Sequence, residues 1–422
     1  MTTSSSGSRP VLPLALLLGL AFAGATSGQL PLAIEFVVSE PSPGDEDSPA
    51  IGMRDDGRFT VVWRDGPAGD TSDILRRNFD ADGVPFAAAP LSEAANASQV
   101  DPAMAMNGNG DWIAGWVSDQ VAATQPDLIG RRTTTNGSIL LSESQINATG
   151  AHDTERVQLA CSEDDSYVAV WKDGADGNEV YFRRFSAAGS PVTGDTVANQ
   201  AGVSPPGGLD VAALPDGGFV IVWVGSDADG LGVYARCFDD TGVPAGNEFR
   251  VNVLEADDQE APSVAADRRG EFVVTWRDSG VGTPLEFRRF GPDCAPLSDE
   301  LRLSTIETGT RVGPRLDMAP DGAFVVTWGG TSQDSDLGIS VREFTRSGRP
   351  VGDEFLAHNN LPGRQVDSGV GIGDRVFVVV WADQEGTSGT VDTIIGSRYL
   401  RRVVFSDDFE SADLFYWSVT AP

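Results

Sequence analysis

A run of apolar residues that ends in tryptophan recurs seven times in this 422-residue chain, and it limits the possible folds more than any other feature. EFVVTW ends at Trp276, AFVVTW ends at Trp328, and five weaker copies end at other tryptophans. The series is Trp63, Trp116, Trp171, Trp223, Trp276, Trp328 and Trp381. Successive members lie 52 to 55 residues apart. A regular period of this length predicts a solenoid, a propeller or an array.

Each period contains four strand-like segments separated by turn residues. In the fifth copy the segments are 262–267, 271–276, 285–290 and 300–305. Glycine beside proline, as in TGVP at 241–244, suits a tight turn because glycine supplies positive φ and proline presets φ. Four antiparallel strands in about 52 residues correspond to one blade of a β-propeller. The sequence therefore predicts an all-β fold.

The second segment of each copy is apolar on both faces. A half-exposed strand alternates apolar and polar residues, whereas FVVTW and FVIVW do not. An inner strand of a propeller blade is covered on both faces because each blade packs between two neighbours. We therefore predict that the seven tryptophans are structural packing residues.

The third segment carries a recurrent arginine. The six positions are Arg77, Arg131, Arg183, Arg236, Arg288 and Arg342. In five copies an aromatic residue follows two positions later, which places it on the same face of the strand. We predict a structural role, in which the guanidinium packs on the aromatic ring against a neighbouring blade and meets a carboxylate.

The N-terminal segment IEFVVSE (34–40) matches the fourth strands of later copies, such as EFRVN (248–252). The register agrees, because Phe36 precedes Pro49 by 13 residues and Phe249 precedes Pro262 by 13 residues. The seventh copy has no fourth segment of this type. We predict that the strand at 33–40 completes the last blade, which closes a seven-bladed ring and removes open sheet edges.

At this point the chain resembles β-propeller repeat proteins secreted by bacteria. The shared pattern is P-S-V-A…G-x-F-V-V-x-W…R-x-F…G-x-P…E-F-x-V-N, and it covers about residues 33–405. The resemblance implies the blade and no particular activity. The tail FSDDFESADLFYWS (405–418) resembles a C-terminal motif of exported bacterial proteins, with Ala412 where glycine is usual. It implies a sorting signal or the remnant of a domain, while a cap that packs Phe409 and Trp417 on the ring is the alternative.

The N-terminus has the layout of a secretory signal peptide. Arg9 precedes an apolar stretch from Val11 to Phe22, and small residues follow. We predict a signal peptide at 1–25, a propeller at 33–404 and a tail at 405–422. The predicted blades start near 49, 102, 157, 209, 262, 314 and 368. The mature protein is expected to be secreted, to the extracellular space, the periplasm or the cell surface.

The chain is strongly acidic. It contains 62 Asp and Glu against 30 Lys and Arg, which gives a formal charge of −32. This charge disfavours nucleic acid as a partner, because binding to phosphates requires Lys and Arg. It favours a soluble, self-repelling surface. We expect a monomer whose mature chain has no membrane span.

Carboxylates concentrate in the loops between second and third strands. The candidate binding residues are Asp173, Asp176, Asp227, Asp229, Asp334 and Asp336. In a propeller these loops and the fourth-to-first connections emerge on the same face. Asp227 and Asp229 are also candidate Ca²⁺ ligands, because oxygen ligands separated by one residue near a glycine suit a hard cation. The complete calcium-binding loop is absent, and solvated turns are the alternative; no other cofactor is predicted.

The three cysteines allow more than one disulfide pattern. Cys161, Cys237 and Cys294 cannot all pair, and no two have metal-ligand spacing. Cys237 lies in a third-strand segment and Cys294 lies in a turn. A Cys237–Cys294 disulfide is one alternative, and the sequence favours the other, in which the thiols are unpaired.

No catalytic residue is predicted. The chain has two histidines, His152 and His358, and it has no nucleophile elbow, zinc-protease motif or phosphate-binding loop. The main hypothesis is a secreted, non-enzymatic scaffold that binds a protein or a glycan through its acidic loop face. The alternative is a carbohydrate-active enzyme, a lyase or hydrolase, that uses carboxylates or a cation at the mouth of the central channel. A purely structural surface protein is a third class.

Overall fold

The computed structural model describes thirteen parts of the chain. They are residues 35–40, 44–66, 72–93, 97–119, 127–148, 154–173, 179–200, 208–280, 282–305, 309–331, 337–358, 363–384 and 392–402. The predicted signal peptide and tail lie outside them. The described residues form 28 strands and no helix, so none of them forms a helix that could cross a membrane.

The strands group into seven sheets of four, which we call blades one to seven. Blade one contains β2 (Glu46–Met53), β3 (Phe59–Asp65), β4 (Asp73–Phe79) and β5 (Ala89–Pro90). Blade two contains β6 (Gln99–Met106), β7 (Asp111–Ser118), β8 (Asp127–Thr134) and β9 (Ile139–Gln145). Blade three contains β10 (Thr154–Cys161), β11 (Tyr167–Asp173), β12 (Glu179–Phe185) and β13 (Thr196–Val197). Blade four contains β14 (Leu209–Ala213), β15 (Phe219–Ser226), β16 (Leu231–Phe238) and β17 (Phe249–Arg250).

The remaining blades have the same order. Blade five contains β18 (Gln259–Ala266), β19 (Phe272–Asp278), β20 (Leu285–Phe290) and β21 (Leu301–Arg302). Blade six contains β22 (Arg311–Met318), β23 (Phe324–Gly330), β24 (Gly338–Phe344) and β25 (Phe355–Leu356). Blade seven contains β26 (Arg364–Ile372), β27 (Val376–Gln384), β28 (Thr393–Leu400) and β1 (Phe36–Val37).

The N-terminal strand closes the ring. β1 pairs antiparallel with β28, with Phe36 opposite Gly396 and Val37 opposite Ile395. The Val38 N–H donates to the Ile394 carbonyl at 2.8 Å and extends this pairing. The predicted seven-bladed, all-β fold and its closure by the N-terminal strand are confirmed.

The apolar core consists of seven clusters, and each lies between two adjacent blades. The seven tryptophans of the repeat are all 0% exposed. Trp276 of blade five, for example, packs in one cluster with Val222 and Val251 of blade four. The doubly apolar second strands are thus explained by burial against both neighbouring blades.

The recurrent arginines join consecutive blades through backbone carbonyls. Each Nη1 donates, at 2.6–2.9 Å, to a carbonyl in the outer part of the preceding blade. The acceptors are Val38, Leu91, Ile146, Ala198, Val251 and Leu303. In four copies the guanidinium also lies 5.4–5.6 Å from the centre of the aromatic ring two residues on. Acidic partners within 4 Å are found for Arg77, Arg131 and Arg183, so the carbonyl, not the expected carboxylate, is the constant partner.

The interface between blades six and seven uses a different side chain. Ser397 of β28 pairs with Val379, two residues before Trp381, which is the position of the arginine in the other blades. The Tyr399 hydroxyl instead donates to the Ala357 carbonyl at 2.8 Å. Ala357 follows β25 as Val251 follows β17, so the hydroxyl replaces the guanidinium at the matching acceptor.

A disulfide joins blades four and five. Cys237 at the end of β16 is bonded to Cys294 in the turn between β20 and β21, with the two Cα atoms 6.8 Å apart. The preference for unpaired thiols was therefore wrong for this pair, because the turn of one blade reaches the third strand of the preceding blade. Cys161 is a free thiol.

Candidate functional site at the upper mouth of the channel

The first strands of the blades surround a central channel, which forms a cavity of about 1000 Å³. Each first strand begins where the second strand ends; Gln259, for example, pairs with Asp278. We call this end of the ring the upper face. It carries the second-to-third loops and the fourth-to-first connections, so these two loop sets share one face.

A repeated β-bulge shapes the upper mouth of the channel. The pairing of first and second strands shifts register near the start of the first strand in blades one, two, three, five, six and seven. In five of these blades the bulged residue has a left-handed φ of 51–53°. These residues are Ser48, Asp101, Arg156, Ala261 and Asp367. Gly313 occupies the corresponding position in blade six. The bulge residue is serine, aspartate, arginine, alanine, glycine or aspartate in these six blades, so a similar backbone carries an asymmetric set of side chains.

Four charged side chains dominate the mouth: two aspartates and two arginines. Asp101 and Asp367 belong to blades two and seven, and Arg156 and Arg315 belong to blades three and six. All four line the cavity and are exposed. None forms a hydrogen bond or an ion pair with another residue in the described part of the chain, so all four are available to a ligand.

The charges divide the mouth into two halves. The two aspartates flank blade one, whose bulge residue is Ser48, and form the acidic half. The two arginines flank blades four and five, where the cavity is lined by Gly208 and Ala261. This basic half carries the two guanidinium groups, and the Asp210 carboxylate that also lines it is hydrogen-bonded to Ser263 and Val264 of blade five. Arg364, on the rim at blade seven, places a third exposed guanidinium on the side of Asp367.

The pKa of the Asp367 carboxyl is influenced by neighbours of both charges. Burial raises the pKa of its carboxyl, Arg315 and Arg156 lower that pKa, and Asp101 raises it. The nearby Asp47 carboxylate is occupied, because it accepts a hydrogen bond from Arg64 at 2.7 Å. Asp101 and Asp367 are therefore the acceptors that face the solvent-filled mouth.

The channel wall below the mouth is mainly apolar and contains two carboxylates that hold the blades together. Asp210 accepts hydrogen bonds at 2.9 Å from the Ser263 hydroxyl and the Val264 N–H of blade five. Asp317 accepts one at 2.9 Å from the Ile372 N–H of blade seven. The described lining residues include four methionines and no aromatic residue.

An arginine crosses the lower mouth. Arg268 of blade five donates from Nη2 to Asp55 of blade one at 2.5 Å and from Nε to Glu163 of blade three at 3.3 Å. Both acceptors line the same cavity. This bridge spans the channel at its lower end, so the upper mouth is the open entrance for a ligand.

The acidic residues predicted from the loops differ in exposure. Asp173 is 0% exposed, and the Asp227 carboxylate is buried beside Arg250 and accepts a hydrogen bond from the Asp229 N–H at 3.0 Å. Asp229 itself is exposed. The other three predicted residues lie outside the described residues; they are Asp176, Asp334 and Asp336. Among the described residues no three His, Cys, Asp or Glu side chains converge as a metal site, and calcium binding at Asp227 and Asp229 stays a prediction.

The mouth residues were missed because they are not part of a motif. In several copies the bulge residue directly precedes the proline of P-S-V-A: the pairs are Ser48-Pro49, Asp101-Pro102, Ala261-Pro262 and Gly313-Pro314. The residue before this proline varies while the rest of the repeat is regular, and this variation could have indicated the mouth residues. Of the two histidines, His358 is buried, and His152 lies outside the described residues.

No protein-family model matches the chain, and no curated protein matches it in sequence. Solved structures do match it in fold. A protein of unknown function from Dyadobacter fermentans is 13% identical with a TM-score of 0.52, over 89% of this chain and 99% of that chain.

Two carbohydrate-active enzymes have similar structures. A polysaccharide lyase, an ulvan lyase solved with -[GlcA(1-4)Rha3S]- bound, is 10% identical with a TM-score of 0.53, over 88% of this chain and 96% of that chain. An α-L-arabinofuranosidase from Fusarium graminearum is 10% identical with a TM-score of 0.50, over 89% of this chain and 98% of that chain. At such low identity these likenesses establish the fold alone: the chain is a seven-bladed β-propeller.

Proposed function

We propose that this protein is a secreted, non-enzymatic glycan-binding propeller whose ligand enters the upper mouth of the channel. The observation that carries the proposal is the set of four exposed charged side chains at that mouth, Asp101, Arg156, Arg315 and Asp367, which have no partner among the described residues. Charged groups that converge at a concave site without partners are the usual mark of a ligand site.

The chemistry of the mouth suits sugar hydroxyls. A carboxylate accepts hydrogen bonds, and a guanidinium donates up to five. Asp101 and Asp367 can therefore accept from hydroxyl groups, while Arg156 and Arg315 donate to ring and hydroxyl oxygens. Because no aromatic side chain is found among the described lining residues, recognition relies on polar contacts and not on ring stacking.

The comparison with solved structures supports a glycan over a protein ligand. The ulvan lyase, which has a similar fold, was solved with a saccharide bound, and the arabinofuranosidase is also a carbohydrate-active enzyme. Secretion rests on the signal-peptide pattern at 1–25.

A glycan array probed with the mature chain tests the proposal. The matched variant carries Asp101→Asn, Asp367→Asn, Arg156→Gln and Arg315→Gln, which remove the four charges with little change in shape. We expect glycan signals for the native chain and their loss in the variant. Asp240→Asn, an exposed acid in the turn that follows β16, is the control and should leave the signals unchanged.

Equal thermal unfolding of the three proteins establishes that a lost signal reflects the site. The absence of glycan binding by the native chain, or its persistence in the four-residue variant, would refute the proposal. Capture of a protein by the native chain and not by the variant would assign the mouth to a protein ligand instead.

A second candidate, a carbohydrate-active enzyme, is favoured by one observation. Two carboxyl groups, of Asp101 and Asp367, line the mouth without a hydrogen-bond partner among the described residues, and many glycoside hydrolases act through a pair of carboxyl groups. Release of reducing ends or unsaturated products from array-positive glycans, abolished in Asp367→Asn, would establish catalysis. Binding without product release supports the scaffold.

A further inference from the structure

We infer that the sugar bound at the upper mouth carries a single anionic group, which is held between Arg156 and Arg315. The inference rests on the proposed glycan-binding function and adds the class of sugar. It follows from the division of the mouth into an acidic and a basic half.

Arg156 and Arg315 are two of the three exposed arginines among the described residues that line the upper mouth. The third, Arg364, lies on the strand that carries Asp367. Arg156 is presented by the bulge of blade three, and Arg315 lies two residues after the bulge glycine, Gly313, of blade six. Both are exposed, and neither forms an ion pair within 4 Å with a described carboxylate, although both lower the pKa of Asp367. Arg268, at the lower mouth, is by contrast paired with Asp55.

Blades four and five lie between the two arginines on one side of the mouth. Gly208, Asp210 and Ala261 line the cavity there, and the Asp210 carboxylate is hydrogen-bonded to Ser263 and Val264 of blade five. Both arginines lower the pKa of the Asp367 carboxyl, so an anionic group of a ligand at the mouth can interact with both guanidinium groups. Charge-assisted hydrogen bonds of this kind are stronger than neutral ones.

The acidic half sets the orientation of the sugar. Asp101 and Asp367 repel an anion and accept hydrogen bonds from hydroxyl groups. A sugar ring with its anionic group toward the arginines and its hydroxyls toward the aspartates satisfies both halves. The reverse orientation brings like charges together, so one orientation is selected.

The net charge of the chain limits the ligand to one anionic group near the site. The protein carries a formal charge of −32, and the described loops of the upper face include the exposed carboxylates Asp229, Glu255 and Asp257. A polyanion that extends over these loops would be repelled. A terminal acidic sugar on an otherwise neutral chain avoids this repulsion.

Titration calorimetry with four small glycosides tests the inference. The probes are methyl β-D-glucoside, methyl β-D-glucuronide, methyl β-D-glucoside 6-sulfate and a methyl glucoside with two sulfate groups. We expect the two monoanionic probes to bind about tenfold more tightly than the neutral glucoside, because charge-assisted hydrogen bonds are stronger than neutral ones. The relative affinity of glucuronide and sulfate identifies the anion.

The variant Arg156→Gln/Arg315→Gln should bind all probes with the affinity of the neutral glucoside, and Arg250→Gln, at a paired arginine on the upper side, serves as the control. Equal binding of neutral and monoanionic probes by the native chain overturns the inference and leaves glycan binding intact. Tighter binding of the disulfated probe than of the monosulfated one overturns the single-anion claim. Array-positive glycans that all lack an anionic group also overturn it, whereas an array without any positive glycan refutes the proposed function itself.

Discussion

The Asp317 carboxyl joins blades six and seven from a half-buried position in the channel wall. It accepts hydrogen bonds at 2.9 Å from the Ile372 N–H and from the Met318 N–H. Burial raises the pKa of this carboxyl to about 7, the two N–H groups lower it, and the Asp210 carboxylate raises it further. The substitution Asp317→Asn removes the titration while it keeps the size of the side chain.

The sign of the pH dependence follows from the raised pKa. Asp317 titrates near 3.8 when unfolded and near 7 when folded, so its stabilising contribution is present below about pH 4 and is lost as the pH rises through about 7. Three pKa units correspond to about 4 kcal/mol as an upper limit. Relaxation of the surroundings reduces this value, and we expect about 2 kcal/mol.

The difference in stability between Asp317→Asn and the native protein should therefore change sign with pH. Its amide oxygen still accepts from the Ile372 N–H, but its NH₂ group cannot accept from the Met318 N–H, which costs about 1 kcal/mol. At about pH 4 we expect Asp317→Asn to be less stable by about that amount, and at about pH 9 more stable by about 1 kcal/mol.

Urea unfolding followed by tryptophan fluorescence measures the difference, with Asp229→Asn as an exposed control that should show no such change of sign. A difference in the free energy of unfolding that is the same at both pH values, or that disfavours Asp317→Asn more at high pH, would refute the reasoning.

Three further predictions concern the contacts between blades, and each is measured by urea unfolding. Arg288→Met removes the hydrogen bond to the Val251 carbonyl and should destabilise the protein by about 2 kcal/mol; no change would contradict the role of the recurrent arginines. Tyr399→Phe should cost about 1 kcal/mol by the same argument, and an unchanged midpoint would show that the hydroxyl does not stabilise the seventh interface. Reduction of the Cys237–Cys294 disulfide should lower the free energy of unfolding by up to about 4 kcal/mol, the value that the chain-entropy account gives for a separation of 57 residues. An unfolding midpoint that does not change when reducing agent is added would contradict this.

The repeat made the architecture predictable from the sequence. Strands of the EFVVTW type are apolar on both faces, and only burial between two sheets satisfies such a strand. The match between 34–40 and later fourth strands predicted the pairing of β1 with β28, because register is set by spacing along the chain.

The partners of the side chains were less predictable. The recurrent arginines were expected to meet carboxylates, whereas a carbonyl of the preceding blade is their constant acceptor, as for Arg236 and Ala198. A backbone carbonyl carries no sequence signature, so no motif could indicate it. The Cys237–Cys294 bond was likewise hidden, since its two residues meet only through the packing of adjacent blades.

By itself the sequence determined the number of blades, their four strands, the buried tryptophans and the closing strand, because each depends on local periodicity repeated at a constant spacing. Only the tertiary structure decided where the chemistry lies. Asp101 and Asp367 are 266 positions apart in the chain, and Arg156 and Arg315 are 159 apart. They share one mouth because the ring turns the first strand of every blade toward the same axis. The bulges place Asp101, Arg156 and Asp367 there, and Arg315 lies two residues after the bulge glycine of blade six.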